Sequence, residues 1–306
     1  MINEDFLILE DLCSMETNKL FKFMKKCLNL YDFKAFSGGK NHIVAWGGDI
    51  ALVAHLDTVF SEPPGQLFYD RNKDTILAAG TGAGFDDRAG VYAIIQILKR
   101  VSDLGISLPT VILTLGEEEY GIGAQEAGEE YRNAEFNLKY MIELDRAGKD
   151  DCVFYQCTNQ KFKDYIASFG FKEQPGSYTD ITFLMEDLKI CGVNLSIGYY
   201  NEHTNYECLR PTFLESTICK VINMLQNAKN AEKFEYQFKE YKQGYICDRC
   251  HKLYSMNDLI KVNTLEGEKE YCIGCVLESC GCCKNCKSLF DEEETDICPI
   301  CGEENI

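Results

Sequence analysis

The sequence predicts a three-layer α/β/α domain around a largely parallel or mixed central sheet, followed by a small cysteine-rich region of zinc-ribbon type. Three observations carry this reading. Between residues 40 and 230 short apolar runs alternate with helical patterns, as expected of strands joined by crossover helices. A chain of 306 residues suits one large domain with an appendage. Ten of the seventeen cysteines fall in the last 60 residues, mostly as CxxC pairs. The change in composition sets the boundary near residue 240, giving domains 1–240 and 241–306.

In chain order, residues 6–30 read as one amphipathic helix, with Leu9, Leu12, Met15, Leu20, Phe23 and Met24 near helical spacing. Strands are expected at 43–46, 50–55, 76–79, 111–115, 140–144, 153–157 and 191–197. Helices are expected at 87–101, 124–131, 161–169, 179–186 and 211–229. The charged, aromatic stretch 232–245 reads as a linker or as a strand packing back on the first domain.

Composition narrows the function classes. The formal net charge of −18 argues against a nucleic-acid ligand, because phosphate backbones call for clustered Lys and Arg. No apolar run reaches the length of a membrane span. The acidic start MINEDFLILEDL lacks the basic n-region of a secretory signal, so a cytoplasmic location is expected. In that reducing compartment, paired cysteines point to zinc rather than to disulfides.

Chemistry-bearing residues follow the expected strands, where open α/β sheets bind ligands. The triplet His55-Leu56-Asp57 puts two side chains on one face of a strand, so Asp57 can orient a His55 that ligates metal. Gly82–Gly90 contains Asp86 and Asp87 at a glycine turn that opens a helix. Such acids serve either as helix caps or as carboxylates held between cations. Glu117, Glu118 and Glu119 follow the apolar run VILTLG, where three adjacent carboxylates repel unless a cation screens them. Asp145 ends another apolar run, and His203 stands alone in YYNEHT.

As an ordered constellation (HxD, GxDDRAG, EEExGxG, LD and a late His), these motifs resemble the zinc-dependent exopeptidase superfamily, which includes peptidase T, glutamate carboxypeptidases and bacterial aminopeptidases. The resemblance covers roughly residues 40–230. It implies two catalytic zinc ions, with cobalt or manganese as substitutes. Asp86 would bridge them, with His55 and Asp145 completing one site and Glu119 and His203 the other. Glu118 would be the general base and Asp57 the partner of His55. The resemblance also implies a cis peptide between Asp86 and Asp87.

The chain departs from some members of that superfamily. Only 57 residues separate Asp145 from His203, too few for an inserted dimerisation domain, and only 28 separate Asp57 from Asp86. Members with the insert use it to grip a substrate carboxylate. Its absence favours aminopeptidase action, with Glu143, Asp180 or Glu117 binding a free α-amino group. Tyr178, Tyr199 or Tyr200 would supply the oxyanion donor.

The tail carries Cys247-x-x-Cys250, Cys272-x-x-Cys275, Cys283-x-x-Cys286 and Cys298-x-x-Cys301. Eight thiolates suit two tetrahedral structural zinc sites, paired sequentially or crossed, with His251, Cys280 and Cys282 as substitute ligands. From Cys247 onward six Lys or Arg stand against thirteen Asp or Glu, which disfavours nucleic acid and favours a protein partner.

The leading expectation is therefore a di-zinc aminopeptidase acting on a peptide or small amide. A deacylase of N-acyl amino acids or small amides is the second reading. An inert adaptor working through its zinc ribbons is the third.

Overall fold

The computed structural model describes residues 3–133, 137–176, 178–238, 245–250, 253–254, 259–265 and 267–304. The chain divides into two compact units, Met1–Phe238 and Lys239–Ile306. The expected boundary near 240 and His251 lie outside the described residues.

The larger unit is built on a mixed sheet that has eight strands among the described residues. They are β1 (Ala35–Ser37), β2 (His42–Trp46), β3 (Ile50–His55), β6 (Thr110–Thr114), β7 (Tyr140–Arg146), β8 (Asp151–Val153), β9 (Lys172–Glu173) and β10 (Gly192–Ser196), in the order β1-β2-β6-β3-β7-β10-β8-β9. The central four, β6, β3, β7 and β10, run parallel. Their side chains are almost all buried, as expected of strands covered on both faces. The covering helices are α3 (Phe85–Asp103), α4 (Ile122–Tyr131), α5 (Gln160–Ala167), α6 (Asp180–Leu188) and α7 (Pro211–Gln226). A smaller antiparallel sheet joins β4 (Leu67–Asp70), β5 (Thr75–Ala78), β11 (Tyr199–Tyr200) and β12 (Cys208–Leu209). Of these only β5 was expected; β11 and β12, with two residues each, leave no periodicity to read.

Two expectations need correction, and one open alternative is decided. The single helix over 6–30 is two helices, α1 (Asn3–Ser14) and α2 (Thr17–Leu28). The break coincides with an extended Glu16 and with Arg88, which donates to the Met15 carbonyl at 3.2 Å. The strand at 153–157 ends at Val153, because Tyr155 takes a left-handed φ of 50° that strands do not accommodate. Of the two readings of 232–245, packing back on the first domain describes its first part: Glu235 bridges to Ile190 and Phe238 to Cys157.

Helix α3 meets the sheet through Gly90. A Cβ there would lie 2.1 Å from the Leu144 carbonyl oxygen and 2.3 Å from Asp87 Oδ1. The first turn of the helix thus rests on the backbone of β7, next to Asp145. Gly90→Ala is expected to destabilise the larger unit by about 3 kcal/mol through overpacking, read as a lower midpoint in urea.

In the smaller unit, β13 (Tyr245–Ile246) pairs with β14 (Leu253–Tyr254). A second sheet follows the order β16-β15-β18-β17, made of β15 (Leu259–Thr264), β16 (Gly267–Cys272), β17 (Cys280–Cys282) and β18 (Leu289–Asp291). One short helix, α8 (Ile273–Ser279), follows β16.

Candidate metal centre

The parallel strands deliver the candidate residues to one end of the sheet. Val53 of β3 pairs with Glu143 of β7, so two residues further on His55 and Asp145 stand side by side at the carboxyl ends. His55 Nε2 lies 3.0 Å from Asp86 Oδ1 and 3.7 Å from Asp145 Oδ1. His203, on the loop after β11, puts Nε2 3.2 Å from the other oxygen of Asp86, Oδ2, and 3.0 Å from Glu118 Oε1. Each oxygen of the Asp86 carboxylate therefore faces a different histidine.

The two neighbouring aspartates divide the alternatives left open by the sequence. Asp87 is the cap: its Oδ1 accepts from Gly90 N at 2.9 Å and its Oδ2 from His55 N at 3.2 Å. That carboxylate closes the start of α3 and ties it to the end of β3. Asp86, freed of capping, faces the histidines. The peptide bond between them is cis.

Asp57 stands 3.5 Å from His55 Nδ1, longer than an ordinary N–H···O bond. Its shorter bonds go elsewhere, accepting from the backbone N–H of Gly116 at 2.8 Å, Glu118 at 3.3 Å and Glu117 at 3.4 Å. Asp57 thus shapes the loop that carries the three glutamates. Glu119, expected among the metal ligands, is exposed, and Glu118 is the member of the triplet that reaches the cluster. The cause is the fold of the turn. The N–H groups of residues 116–118 wrap onto Asp57, and Tyr120 with a φ of 68° turns the chain away just after Glu119.

Several supporting residues carried no signal in the sequence. Asn194 of β10 clamps the Asp145 backbone, accepting from its N–H at 3.0 Å and donating to its carbonyl at 2.7 Å. The Thr179 hydroxyl lies 3.1 Å from Asp145 Oδ2 and 3.0 Å from Glu143 Oε1. Buried Glu207 accepts from Asp86 N at 3.1 Å. Tyr199 is buried and donates to Asp145 Oδ1 at 3.1 Å, which makes it a holder of that carboxylate rather than an exposed oxyanion donor. Of the other expected substrate residues, Glu143 is fully buried, and Asp180 is fully buried and accepts from the Thr114 hydroxyl. Tyr178 is part-buried with its hydroxyl 3.5 Å from the Glu117 carbonyl oxygen.

The electrostatics are those of an anionic cluster. Burial and the neighbouring Asp86 charge push Asp145 up to about 7, and burial pushes Glu117 up to about 9 and Glu207 to about 7. Burial works to raise Asp86 too, but hydrogen bonds from His203 and His55 outweigh it and hold the carboxyl below its usual range. Hydrogen bonds to Asp86 and Glu118 raise His203 to about 10. Buried carboxylates this close are costly unless a cation or proton joins them. Glu143 Oε2 and Asp180 Oδ1 are buried without a hydrogen-bond donor, while the buried Glu118 Oε1 faces His203 Nε2. Mixed histidine and carboxylate donors of this kind fit divalent zinc, cobalt or manganese.

In the smaller unit the cysteines converge in sequential pairs, Cys247, Cys250, Cys272 and Cys275 in one group and Cys283, Cys286, Cys298 and Cys301 in the other. Sulfur separations are 3.8 Å for Cys247–Cys275, 3.9 Å for Cys250–Cys272 and 3.6 Å for both Cys283–Cys301 and Cys286–Cys298. A zinc tetrahedron with bonds of about 2.3 Å places its sulfurs about 3.8 Å apart, so both groups fit that ion. Cys280 and Cys282 belong to neither group.

Comparison with solved structures decides the fold. A tripeptidase from Staphylococcus aureus subsp. aureus Mu50 superposes with a TM-score of 0.60 at 13% identity, over 75% of this chain and 100% of that one. The two chains share one α/β fold. Aminopeptidase PepT from Bacillus cereus ATCC 10987 gives 0.58 at 13% identity, over 74% and 98% of the two chains. A TET aminopeptidase from Thaumarchaeota archaeon SCGC AB-539-E09 gives 0.59 at 14% identity, over 73% and 97%. No sequence-family profile matches the chain, and no curated protein matches it by sequence. Among the described residues no helix is long and apolar enough to cross a membrane.

Proposed function

We propose that the larger unit is a two-metal aminopeptidase that hydrolyses the amino-terminal amide bond of short peptides. The observation that carries this reading is the Asp86 carboxylate, bracketed by His55 on one oxygen and His203 on the other. A carboxylate so flanked would help to hold two cations, His55 and Asp145 being further ligands for one and His203 for the other. When bound, zinc ions supply Lewis acidity that polarises the amide carbonyl and lowers the pKa of a nearby water to about 7.

The chain's own residues then have separate tasks. Glu118, whose Oε1 stands at the cluster beside His203, takes the proton from the attacking water and passes it to the leaving nitrogen. Asp57 holds that glutamate's backbone in register. Asn194, Thr179 and Tyr199 hold Asp145. Of the three acids considered for the free α-amino group, Glu143 and Asp180 are fully buried and Glu117 is only part-buried, so Glu117 takes that role, with the part-buried Tyr178 beside it as oxyanion donor. The structural neighbours, a tripeptidase and two aminopeptidases, favour the same substrate class. In the smaller unit each group of four cysteines holds one structural zinc.

The test is a panel of tripeptides, aminoacyl amides and N-acyl amino acids, assayed on the full chain loaded with zinc, cobalt or manganese. Hydrolysis of the free-amine substrates, lost to a chelator and restored by metal, is the expected result. Turnover of blocked amines alone would establish the deacylase instead. No turnover by fully metal-loaded protein would leave the inert adaptor.

A further inference from the structure

Far from the tail clusters in sequence, two buried thiols of the larger unit meet. Cys157 Sγ lies 3.2 Å from Cys191 Sγ, and both residues are fully buried. The Cys191 thiol donates onward to the Glu235 carbonyl oxygen at 3.1 Å. Cys157 stands in the turn that follows β8, and Cys191 immediately precedes β10. The returning segment 234–238 closes over both. Cys191 N donates to the Phe234 carbonyl, Thr158 N to the Gln237 carbonyl, and Phe238 bridges to Cys157.

We propose that Cys157 and Cys191 are a modification site that closes to a reversible disulfide when the protein meets a hydroperoxide. A movement of about 1 Å brings the sulfurs to bonding distance. In the first step one thiolate attacks the peroxide O–O bond, becoming a sulfenic acid and releasing water or an alcohol. In the second the other thiol attacks the sulfenic sulfur, the S–S bond forms and water leaves. Two thiols are oxidised, one peroxide is reduced, and a dithiol reverses the reaction. Burial beneath 234–238 selects a small oxidant, since the segment must open for a bulky one. The linkage closes the loop 157–191, which carries Tyr178, Thr179 and Asp180 beside the candidate centre.

The full zinc-loaded chain is treated with hydrogen peroxide, alkylated in denaturant, digested with trypsin without reductant and mapped by fragmentation mass spectrometry. Exposed Cys219 reports that the oxidant has acted. The expected product joins peptides 150–161 and 190–220 through Cys157 and Cys191, is cleaved by dithiothreitol, and raises Tm by about 5 °C through loop closure. The linkage disappears in Cys157→Ser and in Cys191→Ser but persists in Cys152→Ser. Fully alkylatable Cys157 and Cys191 in wild-type protein whose Cys219 is oxidised would overturn the proposal. So would a linkage that survives in Cys157→Ser. The wild-type map decides the matter even if a serine variant fails to fold.

Discussion

Glu118→Gln is expected to lower kcat by about 10³-fold while the protein keeps its bound cations. The amide is nearly the shape of the carboxylate but cannot take a proton from water. The backbone at residue 118 is held by Asp57 rather than by its own side chain, so the turn survives the change. KM should move little, because the lost interaction belongs to the reacting water. Metal content by emission spectroscopy and steady-state kinetics on a free-amine substrate make the two readouts. Retained turnover would remove Glu118 from proton transfer, and loss of metal in step with activity would make it a ligand. The parallel variant Glu119→Gln settles the geometry of the triplet. Its side chain is exposed, so a loss of bound cation there would return Glu119 to the ligand set.

The second large effect lies in the smaller unit. If each cysteine group holds a zinc ion as proposed, Cys275→Ser is expected to abolish binding at the first group and to unfold the region around it. The buried cluster there consists of Cys247, Val262, Tyr271, Cys272, Cys275 and Val276, so half of its members are thiols. The other cluster is smaller, with Phe290 between Cys283 and Cys298. So few apolar side chains cannot offset the entropy of ordering the chain, and the proposed zinc, worth roughly 10–16 kcal/mol in such modules, would supply the difference. Hydrogen exchange resolved by peptide should show residues 245–276 losing protection in the variant while the strands of the larger unit keep theirs. Unchanged protection with one zinc missing would mean that the module folds without its metal.

The fold class, the central strands and the places of His55, Asp57 and Asp145 at or just beyond strand ends and of Asp86 at a helix start were legible along the chain, whereas that of His203, after the unexpected β11, was not. Strand ends are written locally, in runs of apolar residues followed by glycine or acid, and a motif at such an end inherits its place at the carboxyl edge of the sheet. The sulfur groups were equally legible as CxxC pairs, although their sequential pairing was not. Folding was needed to show which glutamate of 117–119 turns inward, that Asp87 caps α3 while Asp86 stays free, and that Arg88 divides the first helical stretch. It was needed as well to show that Tyr199, Asn194, Thr179 and Glu207 hold the centre. These outcomes share one cause. The direction of a side chain on a turn is set by hydrogen bonds to residues far away in sequence, as Asp57 sets the glutamate loop from 59 to 61 positions upstream, and no local pattern encodes such a contact.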